Sequence, residues 1–240
     1  EGWIERGVKE LGREIMFTSE SAPWGKKVIR LKSSWGQGFA VHPPDKIFHS
    51  RFIWPEQKTF LTCDRHSRDH WDEVCCAWFT GTGILVWENV FGNDTTWVER
   101  DKNMLRALAP LMRTFYKNFS ALHWEPFVES ADKDLRIHQY PGELGTLYTL
   151  YWKKKEPYSG PIMKAVPGKY INVITGKQAE IRDGMVWGQV NGTCVGGILE
   201  VSKITAELQA LLDKVCPGSL SEYVKENTEK VKSINHIDHK

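Results

Sequence analysis

Hydrophobic side chains recur at helical spacing on both sides of a short apolar run, which predicts a helix, a strand and a second helix in succession. The first helix is predicted over 67–80, and its apolar positions are Trp71, Val74, Cys75 and Trp78. The run 81–92 predicts a buried strand that delivers the carboxylate of Glu88 at its end. The second helix is predicted to begin with Thr96 as N-cap and Glu99 as its capping-box partner. This alternation is typical of a barrel of parallel strands.

Two further apolar runs also lead into acidic residues. The run 13–19 follows a short helical pattern and is itself followed by Glu20. The run 51–54 leads to Glu56 and then to a loop that carries Asp64. Parallel α/β barrels carry their active sites at the carboxyl ends of the strands. The sequence therefore predicts three strand ends that each present a carboxylate.

The hydrophobic pattern changes after Ser120, where short alternating or aromatic runs replace the helical period. The predicted strands cover 123–128, 135–140, 145–152, 169–174, 185–187 and 195–201. Turn residues such as Pro141-Gly142 and Asn191-Gly192 separate these runs. Many short strands without intervening helices predict an antiparallel β-sandwich. A last helical pattern spans 205–215.

The predicted fold class is therefore α/β plus all-β, a partial (β/α) barrel followed by an antiparallel sandwich. Residues 1–120 are expected to form the C-terminal part of a (β/α)8-type barrel, residues 121–202 the β-sandwich, and residues 203–240 a C-terminal helix with a polar tail or linker. Three strands are too few to close a barrel of about eight. The missing N-terminal half of the barrel is thus expected to precede Glu1.

Charge and hydrophobic composition argue against nucleic-acid and membrane partners. The chain has 240 residues and a formal net charge of +2, with its basic residues dispersed. The longest basic cluster, 153–155, is read as a solvated hairpin edge, so no nucleic-acid partner is expected. No apolar run approaches the roughly 20 residues that a membrane-spanning helix needs, so no membrane partner is expected either.

Cysteine and histidine spacing does not predict a metal or another cofactor. The five cysteines form no Cys-x-x-Cys pattern and are expected to be small buried side chains. His66 and His70 are four residues apart, but a predicted helix start at Ser67 lies between them, so solvent-exposed or capping roles are expected.

The run 81–92, the long helix after it and the all-β part that contains 145–151 together resemble the C-terminal half of a melibiase-like glycoside hydrolase. The resemblance covers residues 1–202. It implies a C-terminal β-sandwich packed on a catalytic barrel, a carbohydrate substrate and hydrolysis of glycosidic bonds.

Hydrolysis of a glycosidic bond needs two carboxyl groups, about 5 Å apart for retention or about 6.5 to 9.5 Å apart for inversion. Glu20 and Glu88 are predicted to be the principal catalytic carboxylates, with Asp64 as a third. Each of these acids has a structural alternative, because a carboxylate at a strand end can simply cap the following loop or helix.

Aromatic side chains near the predicted strand ends suggest sugar binding, since sugar rings present apolar faces that stack on indole rings. The chain has 11 Trp, and several fall in these segments. The residues predicted to bind substrate are Trp24, Trp35, Trp54, Glu56, Arg65, His66 and Trp87.

The leading hypothesis is a segment of a carbohydrate-active hydrolase that uses paired carboxylates and no metal. The alternative is a noncatalytic carbohydrate-binding or scaffold region of a longer protein. A protein-interaction module built on the sandwich is a third possibility.

Overall fold

The computed structural model describes residues 2–13, 18–20, 31, 33–36, 43–54, 57–86 and 96–225. Within these ranges the chain forms one parallel sheet, two antiparallel sheets and six α-helices. The fold therefore has the mixed α and β content that the sequence predicts. None of the described helices is long and apolar enough to cross a lipid bilayer.

The parallel sheet lies in the first part of the chain. Its strands in spatial order are β1 (Thr18–Ser19), β2 (Ser33–Trp35), β3 (Lys58–Thr62) and β4 (Gly83–Leu85). The helices of this part are α1 (Gly2–Leu11), α2 (Ser50–Ile53) and α3 (Trp71–Thr80). Helix α3 connects β3 to its parallel neighbour β4, as a crossover between parallel strands requires.

The antiparallel sheets lie in the second part. One has the strand order β5 (Leu135–Tyr140), β6 (Thr146–Trp152), β11 (Val195–Val201) and β8 (Lys169–Asn172). The other has the order β7 (Tyr158–Lys164), β10 (Met185–Val190) and β9 (Ile181–Arg182). Strands β5 and β11 match the predicted bounds, and β7 and β9 were not predicted. The segment 123–128 contains no strand, only an isolated bridge between Glu125 and Gln139, so that prediction is wrong.

Helix α4 (Glu99–Thr114) precedes these sheets, and α5 (Ala206–Val215) and α6 (Leu220–Lys225) follow them. Helix α4 contains Pro110, as the sequence indicates. Helix α5 begins as predicted, because the Thr205 hydroxyl accepts a hydrogen bond of 3.2 Å from the Leu208 N–H.

Two large hydrophobic cores and a small cluster of Phe48, Leu61 and Cys76 hold the described residues together. The first packs α3, α4 and α5 against the sheet that contains β5, and includes Trp78, Leu108, Tyr140, Leu199 and Leu212. The second lies between the two antiparallel sheets, and includes Ile137, Leu150, Ile162, Val186 and Ile198. The first core therefore joins helices of the parallel part to the antiparallel part.

Helix α3 is buried along most of its length and ends against the antiparallel sheet. Residues 73–80 are all buried, and Gly81 ends the helix in the left-handed conformation with φ 66°. The carbonyl oxygen of Phe79 accepts hydrogen bonds from the hydroxyl groups of Tyr140 (3.1 Å) and Thr149 (2.7 Å). Side chains of β5 and β6 thus satisfy a carbonyl group that has no partner within the helix.

The run 51–54 is not a strand, so that prediction is wrong. It forms helix α2, in which Phe52 and Ile53 are exposed and Arg51 is buried. The guanidinium of Arg51 lies over the rings of Trp124 (4.9 Å) and Tyr140 (5.5 Å). The aliphatic stem and planar head of arginine allow this inward packing on aromatic faces.

The parallel sheet also differs from the predicted strands. Trp35 ends β2, and neither β2 nor β3 was predicted. Strand β4 occupies only part of the run 81–92, and its residues are half-buried rather than buried. Residues 87–95 lie outside the described part of the chain.

Two predicted helix starts are displaced. Helix α3 begins at Trp71 with His70 at the N-cap position, and the Ser67 hydroxyl instead donates to the Asp69 carbonyl oxygen at 2.9 Å. Helix α4 begins after Val98, which has extended backbone, so Thr96 is not its N-cap. In each helix the first turn carries an acid that accepts a hydrogen bond from a backbone N–H outside the helix. Glu73 of α3 accepts from the Asp64 N–H, and Asp101 of α4 accepts from the His70 N–H.

Candidate functional site

The carboxyl end of β3 leads directly into the loop that carries three predicted site residues. The Cys63 N–H donates to the carbonyl oxygen of Leu85 at 3.3 Å, so the chain stays beside β4 for one residue beyond the strand. Asp64 follows and is exposed. Asp64 thus lies just beyond the end of a parallel strand, although the sequence predicts a different strand, 51–54, before its loop.

The Asp64 carboxylate helps to shape its own loop. Its Oδ1 accepts a hydrogen bond of 2.9 Å from the His66 N–H. The Asp64 N–H donates to Glu73 Oε1 at 2.8 Å, which ties the loop to the first turn of α3. One oxygen of Asp64 is therefore held in place, and the exposed side chain remains accessible to solvent.

Arg65 and His66 lie beside Asp64 in this loop. The Arg65 Nε–H donates to Nε2 of His66 at 3.3 Å. The structure thus brings Asp64, Arg65 and His66 together, as their sequence order requires.

Glu20 does not lie close to Asp64. Ser19 is opposite Ser34, and Ser34 is opposite Thr59, which precedes Asp64 by five residues. In this register Glu20 is level with Phe60, four residues before Asp64, and it is two strands away from β3.

The remaining predicted site residues are distributed between described and undescribed segments. Trp35 is half-buried at the end of β2, and Trp54 is half-buried directly after α2. Trp24, Glu56, Trp87 and Glu88 lie outside the described residues.

A cleft of about 870 Å³ opens beside Asp64, between the start of α3 and the antiparallel part of the chain. Its lining includes Asp64, Asp69, Trp71, Glu73, Arg100 and Cys194. The Arg100 guanidinium lies 4.8 Å from the Trp71 ring centroid. The sequence pattern assigns Trp71 to a buried helix face, and it misses Asp69 and Arg100, because only the tertiary structure brings α4 next to this loop.

Arg100 and two aspartates join the start of α3 to the start of α4. Arg100 donates to Asp69 Oδ1 (2.6 Å) and to Asp101 Oδ1 (2.7 Å), and the His70 N–H donates to Asp101 Oδ2 (2.6 Å). Asp101 is fully buried, and burial raises the pKa of its carboxyl group, against the opposing effects of Arg100 and the His70 N–H. The network fixes the N-terminal turn of α3 against α4.

Cys63, His70 and Glu73 place sulfur, nitrogen and oxygen donors next to one another behind the cleft. The three donor atoms lie within 4.8 Å of one another, and all three residues are buried. The His70 ring also stacks on Trp97, with a centroid distance of 4.1 Å. Burial, together with the negative charges of Glu73 and Asp64, raises the pKa of the Cys63 thiol. The spacing of these residues in the sequence does not indicate such a cluster.

The fold is similar to those of several solved glycoside hydrolases. An Anoxybacillus α-amylase superposes with a TM-score of 0.59 at 9% identity, covering 85% of this chain and 56% of that one. The Geobacillus thermoleovorans α-amylase, crystallised with acarbose, gives a TM-score of 0.59 at 7% identity, covering 84% and 57%. A Nostoc punctiforme debranching enzyme, soaked with acarbose, gives 0.53 at 10% identity, covering 82% and 53%.

At these identities the likeness shows the fold alone, and the chain spans little more than half the length of these proteins. No protein-family model matches the sequence, and no curated protein matches it. The neighbours are of the α-amylase type, so the likeness does not single out the melibiase-like type that the sequence resembles. The chain thus has a carbohydrate-active hydrolase-like fold.

Proposed function

We propose that this chain is part of a carbohydrate-active hydrolase that cleaves glycosidic bonds with paired carboxylates at the ends of parallel strands. The observation that carries the proposal is an exposed carboxylate, Asp64, directly after β3, in a fold similar to those of α-amylases. The carboxyl end of a parallel strand is where α/β barrels keep their chemistry.

We propose a specific architecture for this hydrolase segment. The parallel sheet and its helices, within residues 1–120, form part of a (β/α)8-type barrel. The two antiparallel sheets, within residues 121–202, form a sandwich around the core between them. Residues 203–240 contribute the C-terminal helices α5 and α6 and a tail or linker.

Strand order favours Asp64 and Glu88 as the catalytic pair. Asp64 follows the end of β3 by two residues, and the sequence places Glu88 three residues after the end of β4. Strands β3 and β4 are direct neighbours, and neighbouring strands are roughly 4.8 Å apart. Such spacing suits two carboxyl groups that act on one glycosidic bond. Glu20, two strands away, has a substrate-binding role in this arrangement.

Sugar recognition would use the aromatic and polar residues around the same strand ends. In this proposal Trp24, Trp35, Trp54 and Trp87 stack on sugar rings, and Glu56, Arg65 and His66 bind hydroxyl groups. Acarbose, present with two of the structural neighbours, indicates α-glucans as the first substrates to test.

Substitutions in the full-length protein test the catalytic assignment. Asp64→Asn and Glu88→Gln should each lower kcat on soluble starch or an aryl glucoside by about 10²-fold or more, because each removes a carboxyl group needed in the transition state. Asparagine at 64 keeps an oxygen for the His66 N–H, so the loop is preserved. Glu20→Gln should mainly raise KM, and Glu129→Gln, at an exposed acid in the antiparallel part, should change neither constant.

The hydrogen bond from the His66 N–H to Asp64 favours one alternative, a noncatalytic carbohydrate-binding region in which this acid only shapes its loop. Full hydrolytic rates in both variants, with altered sugar affinity, would support that alternative and reject the catalytic pair. Silence on a glycan array together with a stable protein partner would favour an interaction module instead.

A further inference from the structure

The hydrogen bonds of His70 leave one ring nitrogen directed at a carboxylate. Its Nε2 lies 3.0 Å from the carbonyl oxygen of Ser67, and a carbonyl oxygen can only accept, so Nε2 carries a proton. Its Nδ1 contacts Glu73 Oε2, which is an acceptor when ionised. Two lone pairs that face each other require a positive species between them, either a proton or a metal cation.

Hydrogen bonds to the surroundings hold two of the donor side chains in place. The bond from Nε2–H of His70 to the Ser67 carbonyl is the outer partner that metal-binding histidines commonly have. The Asp64 N–H donates to Oε1 of Glu73 and holds this carboxylate in place. The other oxygen, Oε2, is the one that contacts His70. The stacked Trp97 ring restricts the imidazole further.

Cys63 supplies the third donor, and its sulfur determines which class of metal ion the cluster prefers. It is 1% exposed, His70 is 1% exposed and Glu73 is 8% exposed, so the cluster is screened from solvent. The nearby carboxylates Asp64 and Glu73 make the environment of the thiol negative, which favours a cation. A thiolate, an imidazole and a carboxylate together suit a borderline divalent ion such as Zn²⁺ better than Ca²⁺ or Mg²⁺.

We propose that Cys63, His70 and Glu73 form a binding site for a Zn²⁺-class divalent cation. The three side chains occupy three positions of a tetrahedral site, and a water molecule from the cleft beside Glu73 occupies the fourth. The cation replaces the proton between His70 and Glu73 and the proton of the Cys63 thiol, since a thiolate is the ligand. It fixes the loop between β3 and α3, which carries Asp64, to the first turn of the helix.

Cobalt binding to the purified full-length protein tests this site without reference to catalysis. After chelation and dialysis, Co²⁺ should bind with one equivalent per chain and give the near-ultraviolet absorption of a thiolate–cobalt bond. Zn²⁺ should abolish that absorption by competition and should raise Tm by binding the folded state. Absence of the absorption in the native protein would overturn the proposal.

Three ligand variants and one control variant assign the ligands. Cys63→Ser should remove the thiolate absorption, and Cys76→Ala, at another buried thiol on α3, should keep it. His70→Phe retains a ring beside Trp97, and Glu73→Gln retains an oxygen for the Asp64 N–H, so both should fold while they lose affinity by at least about tenfold. Thiolate absorption that persists in Cys63→Ser would place the cation elsewhere and reject this site. Circular dichroism of each variant separates loss of the ligand from loss of the fold.

Discussion

The indole N–H of Trp78 donates a hydrogen bond of 2.7 Å to the carbonyl oxygen of Gly196. Trp78 lies on α3 and is fully buried, and Gly196 lies on β11. At the next position, Gly197, a Cβ atom would lie 3.0 Å from the indole ring and 2.7 Å from Val173. Helix α3, which starts at the candidate site, thus packs directly against the antiparallel sheet.

Trp78→Phe should lower the free energy of unfolding by about 2–4 kcal/mol, because it removes a buried hydrogen bond and leaves a cavity. Urea unfolding followed by circular dichroism measures this loss. Trp187→Phe, at a half-buried site on β10, serves as the matched control and should cost less than about 1 kcal/mol. Equal losses in the two variants would contradict the role assigned to Trp78.

Asp101→Asn should lower the free energy of unfolding by about 2–3 kcal/mol. One oxygen becomes an NH₂ group, which cannot accept from the His70 N–H or from Arg100 Nε–H, and a buried donor loses its partner. Asp69→Asn is the matched control, since Asp69 also bonds Arg100 but its side chain is 48% exposed. Exposed ion pairs contribute about 0–1 kcal/mol, so the control should be nearly neutral in the same urea titration.

Asn118→Asp should destabilise the fold by about 2–4 kcal/mol. The buried amide of Asn118 donates to the carbonyl oxygens of Tyr140 (2.9 Å) and Gly145 (2.8 Å), and a carboxylate would face both of them without a proton to donate. Asn191→Asp, on an exposed turn, should change stability by less than about 0.5 kcal/mol. Thermal unfolding compares the two variants, and an unchanged Tm for Asn118→Asp would refute the assigned bonds.

His138 should make the protein less stable as pH falls below 6.5. Burial lowers the pKa of His138 from 6.5 to about 3, and its Nε2 has no hydrogen-bond partner among the described residues. Between these two pKa values the unfolded chain binds a proton that the folded chain excludes, so stability declines by about 1.4 kcal/mol per pH unit in that window. Above pH 6.5 the imidazole is neutral in both states and makes no such contribution.

Urea titrations at pH 7 and pH 5 measure this effect. His138→Phe, which places a ring among Phe79, Phe127 and Trp124, should reduce the difference in unfolding free energy between these pH values by about 2 kcal/mol. His123→Gln, at an exposed histidine, should keep the native pH dependence. The same pH dependence in His138→Phe and the native chain would show that another group titrates.

Strong local patterns predicted several of the elements that the structure contains. Strands β5 and β11 alternate or carry β-branched residues between clear turns, and α3 follows a helical apolar pattern. Strand β7 escaped prediction because Gly160 and Pro161 interrupt it. That strand lies at the edge of its sheet, next to a register shift at Trp187, where a proline is tolerated. Helix α2 was missed because four residues are too few to show a period.

The candidate site was predictable only in part. Asp64, Arg65 and His66 are adjacent in sequence, so their common loop was predicted, whereas β3, the strand before it, was not. Long-range contacts were not accessible, since Asp101 reaches His70 across 31 residues. The cluster of Cys63, His70 and Glu73 mixes a loop with a helix and does not have the paired spacing by which zinc sites are recognised.

Two hydroxyl groups of the antiparallel sheet bond the Phe79 carbonyl near the C-terminal end of α3. Through the helix, these bonds also affect the position of its N-terminal turn. Tyr140 and Thr149 fix the axial position of the helix, and α3 is a stiff rod of ten residues, so its first turn cannot slide along the sheet independently. Loss of both hydroxyl groups would let the helix shift along its axis and would move Asp64 relative to β4. The antiparallel sheet holds none of the proposed catalytic residues. It nevertheless determines where the Asp64 carboxylate lies relative to the end of β4.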